Sequence, residues 1–239
     1  MLLVQDLSVR YRSFTALNDV CFAFDPGELV GIFGPNGSGK STMVKAMLGL
    51  IPSATGTVLL KGKPLTQQLA RVAYVPQRSQ IDWDYPVTVW NVAMMGRTLQ
   101  TGLFRRHSQQ SREIVKAALE RVGMYEYRDR SISNLSGGQQ QRVFVARAMA
   151  READLLILDE PFTGVDQKTE SIMFEIFSEL KSQSKTLLVI SHDLSETLDN
   201  YDRMLLLNKQ VIAQGSRHEV MTKENLLTAY DAPVWSIAA

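Results

Sequence analysis

The stretch GPNGSGKST at residues 34–42 constrains the fold more than any other feature of the chain. It matches the pattern G-x-x-x-x-G-K-[ST], and it lies between a short apolar run at 28–33 and a helix-forming stretch at 41–50. Glycines let the backbone curl so that successive N–H groups point at phosphate oxygens, and a following helix adds the positive end of its dipole. The pattern therefore predicts a strand, a phosphate-binding loop and a helix within an α/β core.

Within this loop, called the P-loop below, two side chains have predicted roles of their own. Lys40 supplies a positive charge for the β- and γ-phosphates, and the Ser41 hydroxyl is a ligand for Mg²⁺. The alternative is a glycine-rich turn that binds nothing, which the strand and helix context disfavours. The predicted nucleotide contacts comprise Gly34, Pro35, Asn36, Gly37, Ser38, Gly39, Lys40, Ser41 and Thr42.

The sequence LLILDE at 155–160 predicts the second half of a nucleotide site. Four apolar residues form a buried strand, and Asp159 and Glu160 follow at its carboxyl end, where ligand-binding groups lie in open α/β sheets. We expect Asp159 to hold Mg²⁺ through water and Glu160 to act as general base on the attacking water. Alone this motif is weak, because a solvated acidic turn after any strand would look the same.

Three apolar runs, the first of them within LLILDE, indicate how the rest of the sheet is built. Such runs are apolar on both faces, as in the central strands of a parallel sheet that helices cover; they lie at 155–158, 186–190 and 204–207. Residues 2–24 alternate as antiparallel strands do. Shorter strands are expected at 58–60 and 72–75, helices at 112–122, 168–182 and 194–200, and a hairpin turn at Asn208 and Lys209.

These elements predict a single domain over residues 1–239 in the α/β class. Its nucleotide-binding core, with a mostly parallel sheet and an antiparallel β layer, comprises 1–87 and 140–239. A helical subdomain occupies about 88–139, where amphipathic segments replace β-branched runs.

Composition limits the classes of function. The 26 Lys and Arg residues nearly balance the 25 Asp and Glu residues, which argues against a surface built for nucleic acid. The chain shows no secretion signal and no apolar stretch of 18 residues, so we expect a soluble cytoplasmic protein. The single cysteine, Cys21, excludes an internal disulfide and is expected to be a buried core thiol.

A second glycine-rich turn, LSGGQQQR at 135–142, narrows the family. Together with the P-loop, LLILDE, YVPQ at 74–77 and ISHD at 190–193, it resembles the ATP-binding subunit of ABC transporters. The resemblance covers nearly the whole chain, with every motif in family order. It implies a P-loop NTPase of ABC type, with ATP and Mg²⁺ as cofactors.

The resemblance also explains why one chain carries two phosphate-binding turns. In this family two subunits pack head to tail, and the signature segment (residues 135–142) of one closes the ATP site of the other. It implies that Ser136, Gly137 and Gly138 contact the γ-phosphate bound to the partner's P-loop, and that Gln139 lies near the ribose. The expected assembly is thus an ATP-dependent homodimer with two competent sites.

Other site residues follow from the resemblance one at a time. Tyr11 resembles the aromatic residue that stacks on adenine, and Gln77 the glutamine that reaches Mg²⁺ and the attacking water. Asp166 resembles the aspartate that crosses the dimer interface. His192 resembles the switch histidine that contacts the γ-phosphate. The implied catalytic residues are then Glu160, His192 and Gln77, and the implied Mg²⁺ ligands are Ser41, Gln77 and Asp159.

The segment 78–97 is unusually aromatic and apolar for a surface region. It predicts either the core of the helical subdomain or a groove for a short helix of a membrane permease. In its details this segment, like 215–230, is similar to the ABC branch that imports manganese, zinc or chelated iron. The resemblance favours manganese over zinc, and it implies a peripheral location on the cytoplasmic face of the membrane, with an extracellular or periplasmic binding protein as an indirect partner.

Three other classes remain as alternatives. A soluble ABC ATPase of DNA repair or translation would carry long coiled-coil insertions or a second cassette, and a half-exporter would carry fused membrane helices. A regulatory module that binds ATP without turnover would not need Glu160 and His192. The chain shows neither insertion nor fusion, and it retains both residues.

Overall fold

The computed structural model describes residues 1–102, 105–194 and 196–230, and in these it contains two sheets and a set of helices. The strands are β1 Leu2–Tyr11, β2 Phe14–Phe24, β3 Leu29–Phe33, β4 Ala54–Leu60, β5 Lys63–Pro64, β6 Val72–Val75, β7 Leu155–Asp159, β8 Thr186–Ile190, β9 Arg203–Asn208 and β10 Gln210–Gly215. The α-helices are α1 Lys40–Met47, α2 Val89–Met94, α3 Thr98–Thr101, α4 Gln109–Arg121, α5 Gly137–Ala150, α6 Gln167–Ser182, α7 Arg217–Val220 and α8 Lys223–Tyr230.

The larger sheet has the strand order β10-β9-β3-β8-β7-β6, and its neighbours are parallel except at β10. The predicted central strands are confirmed: β7 and β8 are buried at every residue. Alternate residues of one strand enter opposite cores, since Leu187 packs with the helices and Leu188 with the smaller sheet. Burial on both faces explains why these strands are apolar without alternation.

The smaller sheet is antiparallel, with the order β2-β1-β4-β5, and it confirms the expectation for residues 2–24. The prediction for Cys21 is wrong, because its side chain is exposed. Successive residues of a strand face opposite sides, and the neighbours Val20 and Phe22 take the buried side. The Cys21 thiol instead donates a hydrogen bond to Asp6 Oδ1 at 3.3 Å.

The helical segment between β6 and β7 packs around α5, which contacts both α2 and α4. The predicted hairpin at 208–209 is shorter than expected: β9 extends to Asn208, which pairs with Gln210, so Lys209 alone makes the turn with φ 59°. A 3₁₀ turn at Glu196–Asn200 occupies the last predicted helix. Residues 231–239 of the predicted domain lie outside the described residues. Within the described ranges, no helix is both long and apolar enough to span a bilayer.

Candidate nucleotide-binding site

The four consecutive strands β3, β8, β7 and β6 are parallel neighbours, so their carboxyl ends meet at one edge of the sheet. Each is followed directly by a predicted site segment: the P-loop, His192, Glu160 and Gln77, in that spatial order. Hydrogen bonds tie these ends together, since Glu160 N donates to Ile190 O at 3.0 Å. Topology alone therefore gathers residues that are up to about 150 positions apart in the sequence.

The P-loop closes around the side chain of Lys40. Its ammonium donates to the carbonyls of Gly34 at 2.7 Å and Pro35 at 2.9 Å. Burial lowers the pKa of Lys40, and the nearby carboxylates of Glu160 and Asp159 oppose that shift. A buried cation beside helix N–H groups is the arrangement that a polyphosphate requires.

Two glycines of the loop have no room for a side chain. A Cβ on Gly34 would lie 2.1 Å from Leu207 O in the neighbouring strand β9. A Cβ on Gly39 would lie 2.8 Å from Ala16 O, and its φ of 100° is one that L-residues rarely adopt. Gly39 precedes α1 and makes no side-chain cap there, so the first N–H groups of α1 have no side-chain acceptor from the N-cap residue.

The carboxylate of Glu160 lies between polar side chains from three other segments. Gln77 Nε2 donates to Oε2 at 2.7 Å, and Thr163 Oγ1 donates to the same oxygen at 3.3 Å. His192 Nδ1 lies 3.2 Å from Oε1. Glu160 itself has a left-handed φ of 49°, which is uncommon for a residue with a side chain and often marks an active site. The structure therefore brings the three predicted catalytic residues together.

Asp159 is buried at the end of β7, one residue before Glu160. Tyr74 OH donates to its Oδ2 at 3.4 Å, whereas Oδ1 has no partner in the described part of the protein. Burial raises the pKa of Asp159, hydrogen bonds from Ser41 and Tyr74 oppose the rise, and the charge of Glu160 adds to it. An unpartnered buried carboxylate oxygen beside a serine hydroxyl fits a hard cation such as Mg²⁺.

A cavity of about 510 Å³ opens over the P-loop. Its lining comprises Phe14, Ala16, residues 36–42, Gln77 and Glu160. Tyr11, the predicted adenine platform, does not line it directly but contacts Phe14, with ring centroids 5.3 Å apart.

Phe14, Thr163 and Tyr74 are site residues that the sequence reasoning missed. Phe14 faces Tyr11 in the hairpin register, and its exposed fraction of 57% is high for a strand phenylalanine. Alternation along β2 was the available signal, because it places Phe14 on the same face as the buried Ala16. Nothing in the sequence pattern distinguishes Thr163 from other turn threonines.

The signature segment lies elsewhere, at the start of α5. Ser136 and Gln139 form a reciprocal capping box: Gln139 N donates to Ser136 Oγ at 3.3 Å, and Ser136 N donates to Gln139 Oε1 at 2.9 Å. None of the residues 136–139 lines the P-loop cavity. The chain thus carries two separate phosphate-compatible helix starts.

Asp166 is close to this second helix start. It caps α6, accepting from Thr169 N at 3.0 Å and from Thr169 Oγ1 at 2.9 Å. These hydrogen bonds lower the pKa of Asp166. A Cβ on Gly138 would lie 3.6 Å from Asp166 Oδ2, so the predicted interface aspartate adjoins the signature segment.

A groove of about 350 Å³ lies on another face of the protein. The segment 78–97 contributes only Met95 and Gly96 to it, and the remaining lining is Leu48, Leu50, Leu69, residues 72–74, Arg147, Ala148 and Arg151. Other residues of the segment 78–97 differ in burial. Met94 is buried, Trp83 and Trp90 pack against the core, and Tyr85 is 60% exposed.

Comparison with known proteins agrees with this arrangement. The profile of the ABC transporter family matches residues 17–163. The chain is 45% identical to the manganese transport system ATP-binding protein MntB of Bacillus subtilis, covering 95% of this chain and 91% of the relative. It is 46% identical to the zinc transport system ATP-binding protein TroB of Treponema pallidum, covering 98% and 88%. The chain therefore belongs to the ABC transporter family. This membership confirms the predicted fold class, an α/β P-loop NTPase of ABC type, and the predicted enzyme class, an ATPase.

Solved structures give the same result. An inward-facing metal-chelate type ABC transporter superposes with a TM-score of 0.84 at 26% identity, covering 97% of this chain and 89% of that one. An ATP-binding cassette in its ADP conformation superposes with a TM-score of 0.79, also at 26% identity, covering 95% and 94%.

Proposed function

We propose that this chain is the ATP-hydrolysing subunit of a membrane importer for a divalent transition metal, with manganese as the cargo. One observation carries the hydrolytic part: the Glu160 carboxylate lies between Gln77 and His192 at the edge of the P-loop cavity. The cargo rests on relatedness to the manganese and zinc transport proteins, because the described residues contain no cluster of His, Cys, Asp or Glu that could hold the transported metal.

In the proposed reaction Glu160 accepts a proton from the water that attacks the γ-phosphate. The hydrogen bonds from Gln77 and Thr163 hold its carboxylate in one orientation, which is needed for a general base to meet its proton. His192, in the loop that follows β8, would contact the γ-phosphate. Lys40 and the N-terminus of α1 stabilise the negative charge of the β- and γ-phosphates.

Mg²⁺ would be held by Ser41, Asp159 and Gln77, whose hydroxyl, carboxylate and carboxamide oxygens are ligands that it prefers. When bound, it supplies charge neutralisation across the β- and γ-phosphates. Tyr74 orients Asp159 through its hydroxyl group. Adenine would stack on Tyr11, with Phe14 beside it.

The signature segment completes the site of a second copy of this chain. Ser136, Gly137 and Gly138 would contact the γ-phosphate on the partner's P-loop, with Gln139 near the ribose and Asp166 at the interface. Support comes from the structure of one chain, in which this segment lies outside the chain's own P-loop cavity. ATP then joins two subunits, and loss of its γ-phosphate removes that contact.

The groove over α5 is proposed to receive a cytoplasmic helix of the permease, which places this subunit at the cytoplasmic face of the membrane. Its rim exposes Leu50, Leu69 and Met95, so an apolar helix face would bury them. Two arginines line the same groove, and burial together with the charge of Arg151 lowers the pKa of Arg147 to about 10. An anionic group on the docked helix would compensate both charges.

Cellular metal content tests the cargo. The gene is deleted in its host and restored as wild type or as Glu160→Gln, and manganese, zinc and iron are measured under scarcity of each. We expect manganese alone to fall in the deletion strain and to recover only with the wild type. A fall in zinc content alone would identify zinc, the second candidate, as the cargo. Unchanged cellular contents of all three metals would refute metal import.

Sedimentation tests the ATP-dependent dimer. Glu160→Gln keeps every binding group but removes the base, so it should accumulate as a dimer in ATP and Mg²⁺. The wild type should return to monomer as ATP is consumed. A Glu160→Gln protein that stays monomeric at saturating ATP would contradict the composite site.

A further inference from the structure

We propose that Arg78 is a positioning residue for the signature segment, so that the consecutive residues Gln77 and Arg78 serve different ATP sites of the dimer. The inference rests on the proposed composite site. Gln77 belongs to the site of its own chain, through its hydrogen bond to Glu160. Arg78 would act on the ATP held by the partner.

The side chain of Arg78 reaches the first turn of α5. Its Nη2 donates to Gln140 Oε1 at 2.9 Å, and its Nε lies 3.3 Å from the same oxygen. Gln140 is buried, and its Nε2 donates in turn to Ile132 O at 3.0 Å. The carboxamide is therefore fixed at both ends, and it gives the guanidinium a rigid acceptor.

The guanidinium also lies directly against the backbone of the signature segment. A Cβ on Gly137 would stand 3.2 Å from both Cζ and Nη1 of Arg78. Glycine at this position thus allows the close approach. On its other side Trp83 holds the Arg78 residue, with Nε1 donating to Arg78 O at 2.9 Å and the indole ring 5.6 Å from the guanidinium carbon.

The electrostatics of this contact are unusual. The N-terminus of a helix carries partial positive charge, so a cation beside it is unfavourable unless an anion is also present. Among the described residues no carboxylate forms an ion pair with Arg78. A phosphate brought by the partner subunit would relieve the repulsion, which is why we assign the contact to the opposite site.

A mixed dimer with one intact composite site tests the assignment. One chain carries Lys40→Ala, which removes its own P-loop function but leaves its signature segment intact. The other carries Ser136→Arg, which blocks its signature segment but leaves its P-loop intact. Only the P-loop of the second chain and the signature segment of the first make a complete site.

Arg78→Ala is then added to one chain or the other, and ATP turnover is measured. Loss of a charge-assisted hydrogen bond should lower turnover about tenfold when the substitution is in the signature-donating chain. Turnover should stay within twofold when it is in the P-loop-donating chain. Equal losses in both placements would indicate a merely structural role, and a loss only in the P-loop-donating chain would place Arg78 in the site of its own chain; either overturns the proposal.

Three further measurements secure the result. Arg78→Lys in the signature-donating chain should recover part of the loss, because lysine restores the charge and one donor. Gln140→Leu should add little to Arg78→Ala, since both remove the same contact. Arg121→Ala is the matched control, because it also removes an arginine contact made by two nitrogens, here to Glu179, away from the P-loop and the signature segment. The turnover of this variant should be unchanged.

A mixed dimer that is inactive before Arg78 is altered would instead refute the composite site.

Discussion

The helix α1 after the P-loop and the helix α5 of the signature segment both begin next to glycine, yet their N-termini are built differently. Gly39 precedes α1 with a left-handed φ of 100° and offers no side-chain cap. Ser136 precedes α5 and forms a reciprocal capping box with Gln139. The N–H groups of α1 therefore depend on a ligand for an acceptor, whereas two donors at the start of α5 are satisfied within the chain.

Because of this difference, the P-loop is a complete anion site, whereas the signature segment supplies only part of one. The P-loop adds the buried ammonium of Lys40 to its helix start, and it faces a large cavity. The signature segment adds the Ser136 hydroxyl, which can donate a hydrogen bond while it accepts one from Gln139. We therefore expect the P-loop to bind nucleotide in the monomer, and the signature segment to act only when a partner brings phosphate to it.

Lys40→Ala should have the largest effect and should act in the monomer. Removing a charged donor to phosphate should lower the affinity for ATP about 10- to 100-fold and abolish measurable turnover. Lys45→Ala is the matched control, because it removes the same charge from the last turn of the same helix. Calorimetric titration of both variants with ATP and Mg²⁺ measures the difference, and similar losses in the two would mean that overall charge, not the P-loop contact, determines binding.

Ser136→Ala should have the next largest effect and should appear only in the dimer. Turnover should fall about tenfold, since one hydrogen bond to the partner's phosphate is lost, while the affinity of the monomer for ATP stays unchanged. The control is Ser108→Ala, because Ser108 caps α4 in the same way by accepting from Ser111 N at 3.1 Å.

Both serine variants should lose about 1 kcal/mol of unfolding free energy through the missing cap. Only Ser136→Ala should lose activity. If Ser108→Ala slowed turnover equally, loss of stability would explain both results. The proposed contact of Ser136 with the partner's phosphate would then be wrong.

The sheet and the P-loop edge could be predicted because each depends on local sequence. Apolar runs such as 186–190 predict buried parallel strands, and parallel strands necessarily end at one edge. The resemblance to ABC ATP-binding subunits implies that Gln77, Glu160 and His192 share one site, and the structure shows them at hydrogen-bond distance. The roles of these residues remain predictions.

Other features depend on pairing that no single segment encodes. Cys21 faces outward because its neighbours Val20 and Phe22 take the buried face of β2, and a short apolar run does not reveal which face is buried. The contact of Arg78 with Gln140 joins residues 62 positions apart, so it requires knowledge of how α5 packs. The groove of about 350 Å³ takes most of its lining from segments other than 78–97, which no single stretch of sequence indicates, and a permease-binding role for 78–97 stays a prediction.

Alanine substitutions at one glycine of each helix start should have different effects on the melting temperature. Gly39→Ala forces a side chain against Ala16 O in a left-handed backbone, and such strain costs about 1–3 kcal/mol. The melting temperature should fall by roughly 2–4 °C for each kcal/mol. Gly138→Ala meets its nearest neighbour, Thr169 Oγ1, at an ordinary 3.5 Å, so its melting temperature should hardly change.

In the dimer Gly138→Ala should nevertheless lose activity. Its new methyl group would stand where the partner's phosphate approaches, so turnover should fall although stability does not. Thermal melts and turnover rates of both variants give the comparison. A Gly138→Ala protein with full activity would show that the signature segment does not come close to the partner's nucleotide.

Substitution of Tyr11, the proposed adenine-stacking residue of the P-loop site, should have the smallest effect on nucleotide binding. Stacking of a base on an aromatic ring is worth about 1–3 kcal/mol, and the exposed position of Tyr11 favours the lower end. Tyr11→Ala should therefore lower the affinity of the monomer for ATP about fivefold. Its affinity for inorganic tripolyphosphate should not change, because that ligand has no base.

Phe14→Ala decides which ring carries the base. Phe14 lines the cavity, and its ring is tilted by 35° against that of Tyr11, so it can act by holding Tyr11 in place. In that case Phe14→Ala should lower the affinity for ATP about twofold, and the double variant should be no weaker than Tyr11→Ala alone, because the two residues act as one unit. If Phe14→Ala instead shows the larger loss, the base stacks on Phe14 and the assignment of Tyr11 is wrong.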